Sequence, residues 1–515
     1  MTNLNYVKTF ADDVLKYATD TYHNPPSPLL ADAYHKENKT HYRYAYGRYL
    51  ECPDIVHSNM ARQMNFMRVL SALSLLTGDE RYQQVFDANF KYYNEHFKSP
   101  NGLFYWGGHR LVDLKSLTHV GEWNHELKND YPAYKSLMKI DADATIQYIE
   151  AFWETHVYNW ETLETSRHGD YNQAVDQLWD NHFADPEPFV EVKGLSFINT
   201  GSDLIFSACE YYKKTGNEKA LLWVERLDHM YVKSRDPKTG LGVYQFNQPR
   251  ATRFTDNFAD TESFFGDRAK RQLGPELGET ALEGNVLLES KTRTIYGSAA
   301  LVFLHEARTL PKTHAGKVLL KNTLSGLESF AQYAYIPETN MFKPLMANGT
   351  DLTGFELRRD GYYGKVGNKF MQYKADGLFF LVFAKAAAMQ EKITDSASEK
   401  SILWQTAAHI GVGLGFGDIH EDVLNLKTTS TCAYSLFAFI NLYQLTGEEK
   451  YNDIAEVIAS NITSGAFMGE TSTMYRRDLI KSEYIWINSL EPLALLAQEA
   501  SKKGMLDQID TSIFY

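Results

Sequence analysis

The sequence is poor in cysteine and has no long apolar run, and both shortages narrow the class of protein. Cys52, Cys209 and Cys432 are the three cysteines among 515 residues, and none belongs to a C-x-x-C pair. An odd, scattered set of thiols argues against a disulfide framework and fits a reducing compartment. The first residues carry charges throughout and lack the apolar centre of a signal peptide, which predicts a cytoplasmic protein. The longest uncharged stretch, 428–447, contains Thr, Ser, Asn and Gln and predicts a buried helix with its approach, not a membrane span.

Positive charge is also in short supply. The 52 Lys and Arg residues face 65 Asp and Glu residues, giving a formal charge of −13. This excess of acid disfavours broad binding to nucleic acid or to an anionic membrane, because the whole chain would repel such a partner. It is compatible with an anionic substrate if positive charge is concentrated in one cleft. Aromatic residues are abundant at 14%, with 33 Tyr, and a ring with a polar tip suits stacking on a sugar.

Helical periodicity dominates what is present. Apolar residues recur at three- and four-residue spacing in several segments, which predicts amphipathic helices. The clearest of these segments are 60–76, 298–310, 376–392 and 449–462. Short, extended-looking pieces such as "GLFYWGG" and "GLGVYQF" lie between them.

Two short motifs repeat along the chain. A turn whose glycine can end one helix, and whose acidic residues suit the first turn of the next, occurs as "TGDERY" (77–82), "TGNEKA" (215–220) and "TGEEKY" (446–451). A proline-containing turn into an extended segment occurs as "SPNGLFYW" (99–106), "DPKTGLGVY" (236–244) and "IPETNMFKP" (336–344). The irregular spacing excludes an open solenoid of fixed period. Degenerate helical hairpins with long loops predict an (α/α) toroid, and we assign residues 1–515 to one domain.

The N-terminal third is rich in histidine. The segment "NHELKN" (124–129) starts like a zinc-peptidase H-E-x-x-H, but Asn129 stands where the second histidine is needed, so that class is excluded. Glu126 is still available as a carboxylate ligand. Two imidazoles and one carboxylate, from His109, Glu126 and His168, would suit a divalent transition ion that polarises a substrate. Ordinary surface and capping histidines are the alternative.

Basic residues are concentrated in three loop-like segments, 267–272, 290–298 and 355–369, which include Arg268, Lys291 and Arg293. Arginine can hold a carboxylate through two parallel hydrogen bonds, so an anionic sugar is a candidate ligand. A solvated face with local ion pairs is the alternative for each run. Carboxylates in 184–189 and 254–264 leave a glycosidase open, although no pattern selects the protonated and ionised pair that a glycosidase needs.

Four segments taken together resemble the family 2 polysaccharide lyases, pectate lyases built on an (α/α)7 toroid. They are "WGGHR" (106–110), "GEWNHELKNDYP" (121–132), "TSRHGDY" (165–171) and "GDRAKRQLGPELGE" (266–279). The resemblance implies a mainly α toroid over essentially the whole chain, with short β segments in its loops. It also implies β-elimination on α-1,4-linked polygalacturonate or its oligomers.

The resemblance further implies a divalent ion, manganese rather than calcium, with nickel and cobalt as alternatives. The implied ligands are His109, Glu126 and His168. Removal of the C5 proton of a galacturonate puts charge on the adjacent carboxylate, which a metal ion stabilises. The C4–O bond then breaks and leaves a 4,5-unsaturated ring.

The same resemblance makes Arg167 the Brønsted base and places Arg268 against the substrate carboxylate. Lys291 and Arg293 are added as substrate-binding residues by their charge and by their proximity to the matched segment, not by the resemblance. The base role meets an objection, since an arginine side chain is ordinarily protonated and a poor proton acceptor.

A cytoplasmic enzyme would meet short imported oligogalacturonides, which favours exolytic action that yields unsaturated digalacturonate. Three other functions stay open at this point. They are an unsaturated glycuronyl hydrolase of the same toroid class, a non-catalytic oligogalacturonide-binding protein, and a metal-free isomerase using two histidines. We expect a monomer with no nucleic-acid or membrane partner.

Overall fold

The computed structural model describes residues 2–44, 54–250, 266–394, 401–468, 473–474 and 483–515. Cys52 and the acidic segment 254–264 lie outside the described residues. The α-helices of the described part are α1 (Asn3–Tyr17), α2 (Met64–Thr77), α3 (Arg81–His96), α4 (Tyr134–Ile140), α5 (Ala142–His156), α6 (Ile198–Thr215), α7 (Glu218–Lys233), α8 (Arg268–Gln272), α9 (Gly274–Leu277), α10 (Glu289–Arg293), α11 (Ala300–Thr309), α12 (His314–Ala334), α13 (Gly377–Thr394), α14 (Ile402–Gly413), α15 (Ala433–Thr446), α16 (Glu449–Ala466) and α17 (Glu491–Lys502).

The strands are short and lie between the helices. In chain order they are β1 (Ala33–His35), β2 (Arg43–Tyr44), β3 (Ile55–Ser58), β4 (Arg110–Asp113), β5 (Thr118–Gly121), β6 (Asn124–His125), β7 (Val157–Asn159), β8 (Glu164–Thr165), β9 (Gly169–Asp170), β10 (Glu191–Val192), β11 (Gln248–Pro249), β12 (Val286–Leu287), β13 (Tyr335–Ile336), β14 (Met341–Phe342), β15 (Leu345–Met346), β16 (Tyr373–Lys374), β17 (Phe467–Met468), β18 (Thr473–Met474) and β19 (Tyr484–Trp486).

The chain forms two compact units that alternate along the sequence. Unit 1 comprises Met1–Thr155, His168–Asp176 and Val423–Tyr515, and unit 2 comprises His156–Arg167 and Gln177–Asp422. The assignment of the whole chain to a single domain stays a prediction. Among the helices of the described part, none is both long and apolar enough to cross a bilayer.

The first repeated turn closes helical hairpins, as the sequence predicts. Gly78, Gly216 and Gly447 follow α2, α6 and α15 with φ of 75°, 71° and 77°, a conformation that favours glycine. Each glycine N–H donates to the carbonyl four residues earlier, which satisfies one of the last free acceptors of the helix. The next helix starts within a few residues, so α2–α3, α6–α7 and α15–α16 are hairpins.

The helices of each unit pack against one another through their apolar faces. In unit 1, α2 packs against α3 and α17, and α15 packs against α16 and α17. In unit 2, α6 packs against α7, α11 against α12 and α13 against α14. The uncharged stretch ends in α15, whose apolar side chains from Leu436 to Leu442 are buried. These packings confirm the predicted fold class, a mainly α architecture of helical hairpins with short β segments in the loops.

The second repeated turn is also present. Its tip residue has positive φ in each copy: 106° at Gly102, 72° at Gly240 and 52° at Asn340. The third copy leads into the antiparallel pair β13–β14. The extended-looking pieces "GLFYWGG" and "GLGVYQF" form isolated β-bridges rather than ladders. The first of these pieces carries the chain from α3 to β4, where the candidate site begins.

Candidate functional site

A β-hairpin in unit 1 places His109 beside Glu122. Strands β4 and β5 pair antiparallel, with Arg110 opposite Gly121 as their last partners. His109 precedes β4 and Glu122 follows β5, so the two residues continue this ladder by one step. The N–H of Glu122 donates to the carbonyl oxygen of His109 at 3.0 Å, and this hydrogen bond fixes their separation.

A second strand pair in unit 1 brings Glu126 to His168. In β6–β9, His125 lies opposite Gly169 and Asn124 opposite Asp170. In an antiparallel pair, one step forward on the first strand is one step back on the second, so the next opposing residues are Glu126 and His168. Two residues distant in sequence become cross-strand neighbours in this way.

The two strand pairs meet at the glycines of "WGGHR". Gly107 forms a parallel β-bridge with Glu126, and the N–H of Gly108 donates to the carbonyl oxygen of Glu126 at 2.6 Å. The buried side chain of Asn59 holds Gly107 from the other side. Its Nδ2 donates to the Gly107 carbonyl at 2.8 Å, and its Oδ1 accepts the Gly107 N–H at 3.0 Å. The backbone around His109 is therefore held at several points before the side chains interact.

The three predicted metal ligands converge in one group. Nε2 of His109 lies 2.7 Å from Oε2 of Glu126 and 3.1 Å from Nε2 of His168. The candidate ligand atoms of all three residues lie within 4.8 Å of one another. Bonds of about 2.0–2.2 Å to nitrogen and oxygen around one ion give ligand–ligand separations of roughly 3 Å. The donor set and its spacing thus fit a divalent transition ion, and the role of the three residues as ligands stays a prediction.

The group is shielded from water, and a lysine lies at its edge. His109 and Glu126 are buried, at 6% and 2% exposure, while His168 is half-buried. The half-exposed Lys128 places Nζ 3.1 Å from Oε2 of Glu126. A side chain at Gly108 would contact both the Glu126 carboxylate and the Lys128 stem, so glycine leaves the room that both side chains occupy.

Other histidines of this region have structural partners. His125 is fully buried, and its Nε2 lies 3.1 Å from the hydroxyl of Tyr148. Nδ1 of the buried His156 donates to the carbonyl oxygen of Ser166 at 2.8 Å in unit 2. His156 therefore holds the backbone just before Arg167.

In unit 2, Arg268 and Lys291 lie close to the buried Glu283. Nε of Arg268 donates to Oε2 of Glu283 at 2.8 Å, and its guanidinium lies 3.5 Å from the ring centroid of Tyr362. Nζ of Lys291 donates to the carbonyl oxygen of Glu283 at 2.6 Å. Burial lowers the pKa of Lys291 to about 8, partly opposed by the charge of Glu283.

Tyr244 connects these basic residues with Arg167. Burial raises the pKa of Tyr244 to about 12, while the charges of Arg167 and Arg268 oppose that rise. Nζ of Lys291 lies 5.1 Å from the centroid of the same ring. Arg167, Arg268 and Lys291 thus all lie near Tyr244 in unit 2, together with the buried acid Glu283.

Arg293 has different partners. Its guanidinium forms an ion pair with Asp376 at 2.8 Å and lies 5.7 Å from the ring centroid of Phe379. Its substrate-binding role stays a prediction. Glu122, Glu283 and Tyr244 were not predicted as site residues from the sequence. Glu122 carried one signal, since it belongs to the matched segment 121–132.

Unit 2 contains a second group of metal-ligand type, made of Glu210, His305 and Glu306. The ammonium of Lys213 lies 2.6 Å from the carboxylate of Glu210 and 2.7 Å from that of Glu306. A lysine therefore already supplies the cation between these two acids. We assign this group to the packing of α6 against α11.

The conformation of Gly107 gives a test of the metal-ligand group. At φ of 96°, an added Cβ would collide with the carbonyl oxygen of Glu126. We expect Gly107→Ala to lower Mn²⁺ affinity by about tenfold or more, because separating the strand pairs separates His109 from Glu126. Electron paramagnetic resonance of free Mn²⁺, at matched concentrations of folded protein, measures this affinity.

Gly78→Ala is the matched control for backbone strain. Gly78 has φ of 75°, and an added Cβ there meets no atom within 4 Å. This variant should lose stability without losing Mn²⁺ affinity. Equal affinities for Gly107→Ala and Gly78→Ala would contradict the role given to the close approach at Gly107.

The sequence is similar to known pectate lyases. The model of a family described as periplasmic pectate lyase matches residues 27–514. A pectate disaccharide-lyase of Dickeya dadantii (strain 3937) is 36% identical over 376 residues, which cover 70% of this chain and 67% of the relative.

The solved structures that superpose on this chain have low sequence identity to it. A D-mannose isomerase gives a TM-score of 0.47 at 11% identity, covering 97% of this chain and 98% of that one. A family 76 glycoside hydrolase from a bovine Bacteroides thetaiotaomicron strain gives a TM-score of 0.45 at 11% identity, covering 98% and 78%.

Proposed function

The chain belongs to the periplasmic pectate lyase family, and we propose that it is a metal-dependent enzyme acting exolytically on polygalacturonate and its oligomers. As a member of that family it is a polysaccharide lyase. The observation that carries the metal dependence is the convergence of His109, Glu126 and His168 within 4.8 Å. The name of the Dickeya relative, a pectate disaccharide-lyase, supports release of a disaccharide.

His109, Glu126 and His168 would hold a divalent transition ion, for which manganese is our proposal, with nickel and cobalt as alternatives. Such an ion, when bound, supplies Lewis-acid stabilisation of charge that develops on the substrate carboxylate. The three side chains contribute one negative charge in total when the imidazoles are neutral. That leaves net positive charge on the ion to attract a uronate.

Arg167 is proposed as the group that accepts the C5 proton of the galacturonate, a step that requires its side chain to be neutral when the proton is transferred. The backbone before it is fixed, because Ser166 exchanges two hydrogen bonds with His156, each of 2.8 Å. Arg167 also precedes His168 directly in the chain. A metal ion bound by His168 would therefore restrain the backbone of Arg167. Pre-set backbone geometry lowers the entropic cost of proton transfer.

Arg268, Lys291 and Arg293 are proposed to bind substrate carboxylates. The pairing of Arg268 with Glu283 leaves its remaining N–H groups as donors, since a guanidinium carries five. Lys291 can bind a carboxylate strongly only while it is protonated. Arg167 then takes the C5 proton, the C5–H electron pair forms the 4,5 double bond, and the C4–O bond breaks with its electron pair going to the leaving oxygen. That oxygen takes up a proton to become a hydroxyl, so the products are a 4,5-unsaturated end and a new chain end, with no net consumption of water.

An ultraviolet assay tests this function directly. We expect polygalacturonate to give rising absorbance from the unsaturated product, loss of the signal with chelator, and recovery with Mn²⁺. Chromatography should show unsaturated digalacturonate from the first minutes. Mixed long oligomers at that stage would contradict exolytic action.

The same assay separates the alternative functions. A binding protein would retain oligogalacturonide without producing absorbance. An unsaturated glycuronyl hydrolase would consume the absorbing product, and an isomerase would leave chain length unchanged. Turnover that persists after complete removal of metal would contradict the proposed metal dependence while leaving the lyase activity standing.

A further inference from the structure

We propose that Glu122 is a positioning residue that orients the imidazole of His109 toward the bound metal. The inference rests on the proposed metal-dependent function and extends it to a residue outside the ligand set. Its basis is the position of two carboxylates on opposite nitrogens of one ring. Oε2 of Glu122 lies 3.0 Å from Nδ1 of His109, and Oε2 of Glu126 lies 2.7 Å from Nε2.

The two nitrogens of a neutral imidazole have different roles, because one carries the proton and the other a lone pair. With Glu126 and Nε2 of His109 both given to the metal as ligands, the carboxylate left to interact with a ring N–H is that of Glu122, which favours the tautomer with the proton on Nδ1. The lone pair then lies on Nε2, the nitrogen that is 3.1 Å from Nε2 of His168. In the other tautomer an N–H would point into the ligand group, where a metal needs a lone pair.

The backbone holds Glu122 in this position. Its N–H donates to the carbonyl oxygen of His109 at 3.0 Å, and its own carbonyl accepts from Nε of Arg110 at 2.6 Å. Gly121, at φ of 132°, allows the close approach, since an added Cβ would collide with the carbonyl oxygen of His109. The hairpin therefore fixes the carboxylate and the imidazole relative to each other.

Burial adds to the effect of the carboxylate. The side chain of His109 is 5% exposed and that of Glu122 is 28% exposed, so water competes poorly for Nδ1. A carboxylate beside Nδ1–H makes Nε2 a stronger electron-pair donor to a metal ion. Partners of this kind typically change metal affinity or activity by about 10–100-fold.

The test is Mn²⁺ affinity of the purified full chain, measured by electron paramagnetic resonance of free Mn²⁺. We expect Glu122→Gln to weaken binding by about 10–100-fold. We also expect its kcat to recover at saturating Mn²⁺, because the variant retains all three ligands. Glu122→Asp, which retains the charge, should have an affinity between those of the wild type and Glu122→Gln.

Glu483→Gln is the matched control. Oε2 of Glu483 lies 3.1 Å from Nε2 of His35, another histidine–glutamate pair of unit 1, in which the glutamate is 72% exposed. This variant should bind Mn²⁺ as the wild type does. If Glu122→Gln lowers the melting temperature of the metal-free chain, Glu122→Asp decides the matter. An Mn²⁺ affinity of Glu122→Asp above that of Glu122→Gln supports positioning, and an affinity as low as that of Glu122→Gln overturns it.

Unchanged Mn²⁺ affinity in Glu122→Gln would overturn the positioning role while the proposed function stood. A wild type that binds no Mn²⁺, Ni²⁺ or Co²⁺ would overturn both the ligand set and the positioning role. If the kcat of Glu122→Gln stays low at saturating metal, the positioning role is also overturned, because Glu122 would then act on the substrate itself.

Discussion

Glu126→Gln is expected to lower lyase turnover by a factor on the order of a thousand or more. Lewis-acid stabilisation by a metal contributes several kcal/mol, and each 1.36 kcal/mol corresponds to about tenfold in rate. Glutamine keeps the shape of the side chain, but its amide cannot supply the negative charge that balances the ion. The ultraviolet assay measures turnover, and paramagnetic resonance measures Mn²⁺ affinity, which should fall with it.

Glu126 is buried, at 2% exposure, so its charge acts on the neighbouring ligand group and is little screened by water. Its replacement by Gln therefore tests the metal site itself. Glu95→Gln on α3 is the matched control, since Glu95 also lies beside a histidine, His96, at 3.8 Å, and is 76% exposed. Glu95→Gln should retain wild-type turnover. Normal turnover of Glu126→Gln in metal-depleted buffer would contradict the proposed metal site.

Arg167→Lys is expected to reduce turnover by roughly 10²–10⁴-fold, the range that a positioned proton acceptor contributes. Lysine also has a nitrogen base at its end, but it lacks the reach and planarity of the arginine head group, which place the accepting nitrogen at the C5 proton. The expected effect is therefore on kcat rather than on KM. Arg226→Lys on α7 is the matched control, because Arg226 packs 4.4 Å from the ring centroid of Trp223.

The pH profile distinguishes Arg167 from Lys291 as the proton acceptor. Burial lowers the pKa of Lys291 to about 8, so Lys291 is protonated below that pH and neutral above it. As a substrate-binding cation, it should raise KM as pH increases through 8. As the acceptor, it should instead raise kcat over the same range. A rise in kcat that Lys291→Met abolishes and Arg167→Lys retains would contradict the role proposed for Arg167.

The helical hairpins could be predicted because their signals are local. Gly78, Gly216 and Gly447 each end a helix through a backbone conformation that favours glycine over other residues. Apolar spacing then shows which face of each helix is buried. Neither signal depends on distant parts of the chain. The cytoplasmic location, the monomeric state and the single domain stay predictions.

The candidate site was only partly predictable from residue types. Residue chemistry offered His109, Glu126 and His168 as ligands only beside the alternative of ordinary surface and capping histidines, and the family resemblance favoured the ligand set. Glu122 was not singled out, because a carboxylate near a histidine in sequence does not indicate which ring nitrogen it approaches. Arg268 was expected to bind substrate, but its buried partner Glu283 carried no sequence signal.

The sequence by itself determined the helix ends, the repeated hairpins, the class of fold and the set of groups that can bind a metal. Only the tertiary structure decided which of those groups meet. The register of β6–β9 turns Glu126 toward His168 and assigns His125 to Tyr148. A shift of one residue would exchange those faces, because side chains alternate along a strand. Register depends on contacts between segments far apart in the chain, and local sequence does not encode such contacts.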